Sequence, residues 1–311
     1  KPRKQRKALS WRERKDHFGE MVQLDGSHHG WLEARGPKLV LMGYIDDATG
    51  RFYGKFYDYE GTMPAMDSLK GYIRRCGIPK SIYLDRHSTY KNNKKYSYTQ
   101  WPFRDKEELT QFGRACNQLG IELIYAQSPQ AKGRIERIFE TLQDRLVKEL
   151  RLENAKTCQE ANKALKIYLV GFNKKFEVAA KRKGDFHRST DKRIALDDIL
   201  SIQTERSLRN DRTVLHNKMW YQVLDRTRAC RVTIYDYLNG HLSIKYGNNK
   251  LDYKMIEGPV IREKLKNPKI KARYRKQYIP PKDSYWRIGF KLPGSLREKE
   301  DISNLVEIGH F

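Results

Sequence analysis

The stretch from Glu20 to Tyr57 reads EMVQLDGSHHGWLEARGPKLVLMGYIDDATGRFYGKFY. It holds three apolar-rich runs, Glu20–Leu24, Leu39–Ile45 and Phe52–Tyr57, each of strand length and rich in β-branched or aromatic residues. Asp46-Asp47-Ala48-Thr49-Gly50 separates the second run from the third and has the composition of a hairpin loop. The first run closes on an acidic residue, Asp25.

Downstream the period changes. Met66, Leu69, Tyr72 and Ile73 recur at helical spacing, which predicts a helix from Pro64 to Arg75. Ile82–Leu84 is a short buried strand and closes on a second acidic residue, Asp85. A helix over Lys106–Leu119, a strand over Ile121–Ala126 and a long helix over Gly133–Arg151 follow. The last carries the stripe Ile135, Ile138, Phe139, Leu142, Leu146 and Leu150, the pattern of a helix docked on a core. Glu136 sits one position off that stripe. Another amphipathic helix is predicted over residues 157–180. Three antiparallel strands and then alternating helices and strands are the order of a ribonuclease-H-like α/β core, a mixed five-stranded sheet with flanking helices.

Composition bounds the partner. The 311 residues carry a formal net charge of +25. Such an excess opposes compaction by self-repulsion, so a polyanion, nucleic acid, is the expected partner. The four cysteines are scattered and no CxxC occurs, which argues against a zinc knuckle or a redox pair and fits a reducing cytosol. No apolar run reaches membrane-spanning length, and no GxxxxGK[ST] occurs, so neither a membrane nor a nucleotide cofactor is expected. None of the eight histidines has Arg three residues later, against a tyrosine recombinase. The first residue is Lys, and the expectation is a piece of a longer protein.

Five segments are expected: a basic linker over 1–18, the catalytic core over 19–180, a second basic linker over 181–211, a small β-barrel over 212–261, and a basic, aromatic-containing tail over 262–311. The barrel rests on strands at Lys218–Leu224, Cys230–Leu238 and His241–Tyr246, with the hairpin signal Asn239-Gly240 between the last two.

Asp25, Asp85 and Glu136 are the candidate catalytic and metal-ligating residues. Three carboxylates gathered closely repel one another, and divalent cations with a taste for oxygen ligands, Mg²⁺ or Mn²⁺, relieve that repulsion. Two such ions can activate an attacking oxygen and stabilise the leaving one. Lys132, Arg134 and Arg137 are the candidate DNA contacts beside the site. Asp46 and Asp47 read as turn residues, and Asp58 and Glu60 as a strand exit. His28 and His29 read as loop contacts more readily than as metal ligands, and His87 stands near the second acidic position.

At these residues the chain resembles a known family. Ser128-Pro129-Gln130-Ala131-Lys132-Gly133-Arg134-Ile135-Glu136-Arg137 is similar to the integrase-core signature of retroviral integrases and DDE transposases. Gln23-Leu24-Asp25-Gly26-Ser27 and Tyr83-Leu84-Asp85 resemble its first and second acidic blocks. The resemblance extends to insertion-sequence transposases of the ISNCY type through Leu24-Asp25-Gly26-Ser27-His28-His29-Gly30-Trp31-Leu32-Glu33 and Leu84-Asp85-Arg86-His87-Ser88-Thr89-Tyr90. It implies two Mg²⁺ or Mn²⁺ ions per active site, cleavage of transposon ends, 3′-hydroxyl strand transfer into target DNA, and a homo-oligomer on paired ends in the bacterial cytoplasm at the nucleoid. It also implies an upstream helix-turn-helix region. Two departures stand out: Arg86-His87 where many relatives have Asn-Gly, and Gln143 where many have Lys or Arg. The alternatives are a non-catalytic or domesticated DNA-binding protein and a ribonuclease-H-like nuclease that only hydrolyses.

Overall fold

A computed structural model describes residues 13–92, 109–126, 133–191 and 194–258. The loop with Lys132, the first residues of the helix expected at Lys106, most of the 1–18 segment and the 262–311 tail lie outside the described residues.

Five strands, β1 (Val22–His29), β2 (Leu39–Asp46), β3 (Phe52–Tyr57), β4 (Ser81–Leu84) and β5 (Glu122–Tyr125), form one sheet in the order β3-β2-β1-β4-β5. β1, β2 and β3 are antiparallel, while β4 lies parallel to β1 and β5 parallel to β4. Four helices cover it: α1 (Thr62–Cys76), α2 (Gln111–Gln118), α3 (Gly133–Leu152) and α4 (Cys158–Phe176). This is the ribonuclease-H-like core expected from the element order.

Strand alternation divides the interior in two. Val40, Met42 and Tyr44 of β2 join Val22 and Leu24 in a cluster under α1 and α2. Leu39, Leu41 and Ile45 of the same strand join Phe52, Phe56 and the apolar faces of α3 and α4. With helices on both faces, all eight residues of β2 are buried, as a central strand requires.

β1 corrects one expectation. The strand does not end at Asp25 but runs four residues further, to His29, because the ladder with β2 continues through His29↔Leu39. The acid therefore sits inside a strand, whereas Asp85 directly follows one.

The segment expected as a second linker is largely built into the fold. Asp185 bridges to Phe18 and Arg188 to Ile78. His187 lies between Asp185 (2.6 Å) and the Tyr72 hydroxyl (2.7 Å). A short helix, α5 (Leu196–Ile199), and the strand β6 (Ile202–Ser207) occupy the rest. β6 pairs with β9 (Arg231–Asp236) in a four-stranded sheet completed by β10 (Leu242–Tyr246) and β11 (Asn249–Leu251). A three-stranded sheet of β7 (Thr213–His216), β8 (Met219–Val223) and β12 (Tyr253–Ile256) stands beside it. Both sheets contribute to one small core, with Val214 and Val223 from one and Val232, Ile234, Ile244 and Leu251 from the other. The all-β unit thus begins ten residues before the expected boundary at 212, and its pairing is that of two sheets sharing a core.

Candidate active site

The β1–β4 register brings the first two acids together. Val22 pairs with Ile82 and Gln23 with Tyr83. Two residues further along the same parallel register, Asp25 comes abreast of Asp85. Both are half-buried, at the edge of solvent. The Asp85 Oδ1 accepts the His87 N–H at 3.0 Å. Tyr90 reports on the same place. Its hydroxyl pKa is raised well above the usual value, first by burial, then by the charges of Tyr44, Glu60, Asp85 and Asp25. Glu60 is thus a third carboxylate whose charge acts on Tyr90. It also approaches Gly26, where a Cβ would stand 3.0 Å from its Cδ. In the sequence Glu60 reads as a strand exit, and nothing in its local spacing signals otherwise.

α3 is laid along the face of β1 that carries Asp25. Alternation puts Gln23, Asp25 and Ser27 on one face. Gln23 Nε2 donates to Asp47 Oδ1 at 2.8 Å, and Arg134 Nη1, in the first turn of α3, donates to the same oxygen. Further on, Gln143 Nε2 donates to Ser27 Oγ at 3.0 Å. The strand climbs about 13 Å from Gln23 to Ser27, and the helix about 13.5 Å from Arg134 to Gln143, so the two elements keep pace. By that interpolation Glu136, about 3 Å along the helix from Arg134, falls near the level of Leu24, one residue before Asp25. Glu136 is exposed and sits in the first turn of α3, where the helix dipole favours a negative charge.

Asp25 and Asp85 thus lie on neighbouring strands, with Glu136 in the first turn of the helix packed alongside. Among the described residues, however, no group of three or more His, Cys, Asp or Glu side chains lies close enough together to hold a metal ion. The donor set remains the kind Mg²⁺ and Mn²⁺ prefer, since all its atoms are carboxylate oxygens.

A cavity of about 620 Å³ opens around Glu60, lined in part also by His28, His29, Lys38, Asp58 and His87. His28 Nε2 lies 2.7 Å from Glu60 Oε2, and His87 Nδ1 lies 3.1 Å from Thr89 Oγ1. Both histidines are exposed and face that opening.

The basic candidates fare differently. Arg134 is engaged with the fully buried Asp47 carboxylate, so its guanidinium is directed into the protein. Arg137 is exposed, and its Nε donates to the Gly133 carbonyl at 3.0 Å. Gln143, where many family members have a cation, bonds within the chain to Ser27.

No family model matches the chain. Two curated proteins do. One, designated a transposase, y4bF, of Sinorhizobium fredii, is 33% identical over 265 residues, 82% of this chain and 56% of its own length. The other, the transposase for insertion sequence IS1202 of Streptococcus pneumoniae, is 30% identical over 290 residues, 89% of this chain and 60% of its own length. Over most of its length the chain is therefore similar to insertion-sequence transposases. It spans little more than half the length of these relatives. Among solved structures, the catalytic core domain of the BIV integrase covers 55% of this chain and 90% of its own, at 18% identity and a TM-score of 0.35. That overlap is too partial to bear on the fold, which rests on the sheet order.

Proposed function

We propose that the chain is the catalytic portion of a DNA transposase, with Asp25, Asp85 and Glu136 as its metal-binding catalytic residues. The observation that carries this reading is the β1–β4 register, which aligns two carboxylates sixty positions apart in the chain, with α3 and its Glu136 tied alongside. Carboxylates so aligned repel unless cations compensate them. Two Mg²⁺ or Mn²⁺ ions held by these oxygens would supply charge stabilisation for an in-line displacement at phosphorus.

Two steps follow. At each element end a water oxygen attacks the phosphodiester, the P–O3′ bond breaks, and a 3′-hydroxyl is released. That hydroxyl then attacks a target phosphodiester, forming one P–O bond as another breaks. Bonds are conserved in the second step, so the reaction needs no nucleotide cofactor. Arg137, exposed near the start of α3, and Lys132 would meet phosphate oxygens. A homo-oligomer on paired ends would work at the nucleoid in the bacterial cytoplasm.

The test incubates the full-length protein with end-containing DNA and Mg²⁺ and follows both nicking and joining. Asp25→Asn, Asp85→Asn and Glu136→Gln should each abolish both steps while leaving thermal unfolding unchanged. Wild-type rates in these variants would remove the assignment. Nicking without joining by the wild type would identify a purely hydrolytic nuclease.

A further inference from the structure

The helix that carries Glu136 is held at its first turn by a buried charge. Asp46 and Asp47 close the β2–β3 hairpin, and both are 1% exposed. One acid suffices for the turn: Asp46 Oδ1 accepts the N–H of Ala48 (3.1 Å) and of Thr49 (2.8 Å) and the Thr49 hydroxyl (2.9 Å). Asp47 does something else. Its Oδ2 accepts the Lys15 N–H at 2.9 Å. Its Oδ1 accepts both Gln23 Nε2, at 2.8 Å, and Arg134 Nη1. Gln23 stands two residues before Asp25, and Arg134 two residues before Glu136. A single buried carboxylate therefore joins the strand bearing one acid to the helix bearing another. A buried carboxylate is tolerated only when paired and hydrogen-bonded, so the contact constrains Arg134 strongly. The second tie, Gln143 to Ser27, fixes the same helix further along.

We propose that Arg134 and Asp47 are positioning residues: their ion pair sets the first turn of α3 against β1 and so aims Glu136 toward Asp25 and Asp85. This rests on the proposed role of the three acids. It assigns Arg134 to the protein interior instead of to DNA, and gives Asp47 a purpose beyond its turn.

The full chain provides the test, with Mn²⁺ binding followed by electron paramagnetic resonance and amide hydrogen exchange followed over residues 133–139. Removing Arg134 alone leaves a buried charge and risks unfolding, so the informative variant is Asp47→Asn with Arg134→Leu, which removes the pair and the charge together. Thermal unfolding establishes that it is folded. The expected result is Mn²⁺ affinity lowered by about 10–100-fold, the usual effect of losing a group that orients a ligand, with faster exchange over 133–139. Arg134→Lys, which keeps the cation but not its forked geometry, should recover part of the affinity. Wild-type affinity and exchange in the double variant would overturn the proposal. Asp25→Asn, Asp85→Asn and Glu136→Gln serve as controls. If they leave Mn²⁺ binding unchanged, the metal-site reading fails, while the exchange data still decide whether the ion pair fixes the helix.

Discussion

Gly43 stands on β2 directly opposite Asp25 on β1, beneath α3. A Cβ there would lie 2.7 Å from Phe139 Cε1 and 2.8 Å from Phe52 Cε2, closer than carbon atoms approach in folded proteins. Both rings are buried, so neither can swing into solvent. The missing side chain is thus what lets the helix rest on the sheet at the level of the first acid. Gly43→Ala should destabilise the protein by about 1–3 kcal/mol, the usual cost of overfilling a packed core. Urea unfolding would show this as a lower midpoint at unchanged slope, and an unchanged midpoint would mean the helix has more room than its contacts imply.

Among the elements, β3 poses a problem that α4 solves. β3 is an edge strand, and edge strands carry unpaired backbone groups that invite pairing with other chains. Asn173 Oδ1 accepts the Phe52 N–H at 2.8 Å and its Nδ2 donates to the Phe52 carbonyl, also at 2.8 Å. Asn162 treats Phe56 in the same way, at 2.8 and 3.0 Å. Eleven residues apart, about three helical turns, two side-chain amides take the place of a neighbouring strand. Thr157 and Glu160 start this helix with a capping box, worth about 1 kcal/mol in typical cases. Asn173→Ala should cost about 1–3 kcal/mol, because it strands a donor and an acceptor in a buried place. Asn162→Ala should cost less, since its site is half-buried and water can enter. Equilibrium unfolding would rank the two, and a larger loss at Asn162 would contradict the role of burial.

At the scale of the molecule, charge and the join between core and β unit matter most. Gln111 and Arg114 of α2 fasten the start of β6: Gln111 Nε2 donates to the Gln203 carbonyl at 2.8 Å, and Arg114 Nη2 to the Ser201 carbonyl at 2.6 Å. The two parts are therefore tied by backbone-directed hydrogen bonds. Among the described residues, no helix is long and apolar enough to cross a membrane. With a formal charge of +25 over the full sequence, DNA binding should be dominated by release of counterions. Affinity measured by fluorescence anisotropy should fall by about 10³-fold or more between roughly 50 and 200 mM salt. A flat response would remove the electrostatic account of binding.

What the sequence determined by itself was local or periodic. The strands of Leu39–Ile45 and Phe52–Tyr57 and the helices at Pro64 and Gly133 were legible because apolar period and turn composition act within a few residues. Only the tertiary structure decided the rest. Asp47 and Arg134 lie 87 residues apart and Phe52 and Asn173 lie 121 apart, and β6 finds its partner β9 beyond two intervening strands. A carboxylate at a turn looks the same in sequence whether it caps the turn or holds a distant helix. Its partner is chosen when the chain closes on itself, where burial makes an unpaired charge too costly to leave.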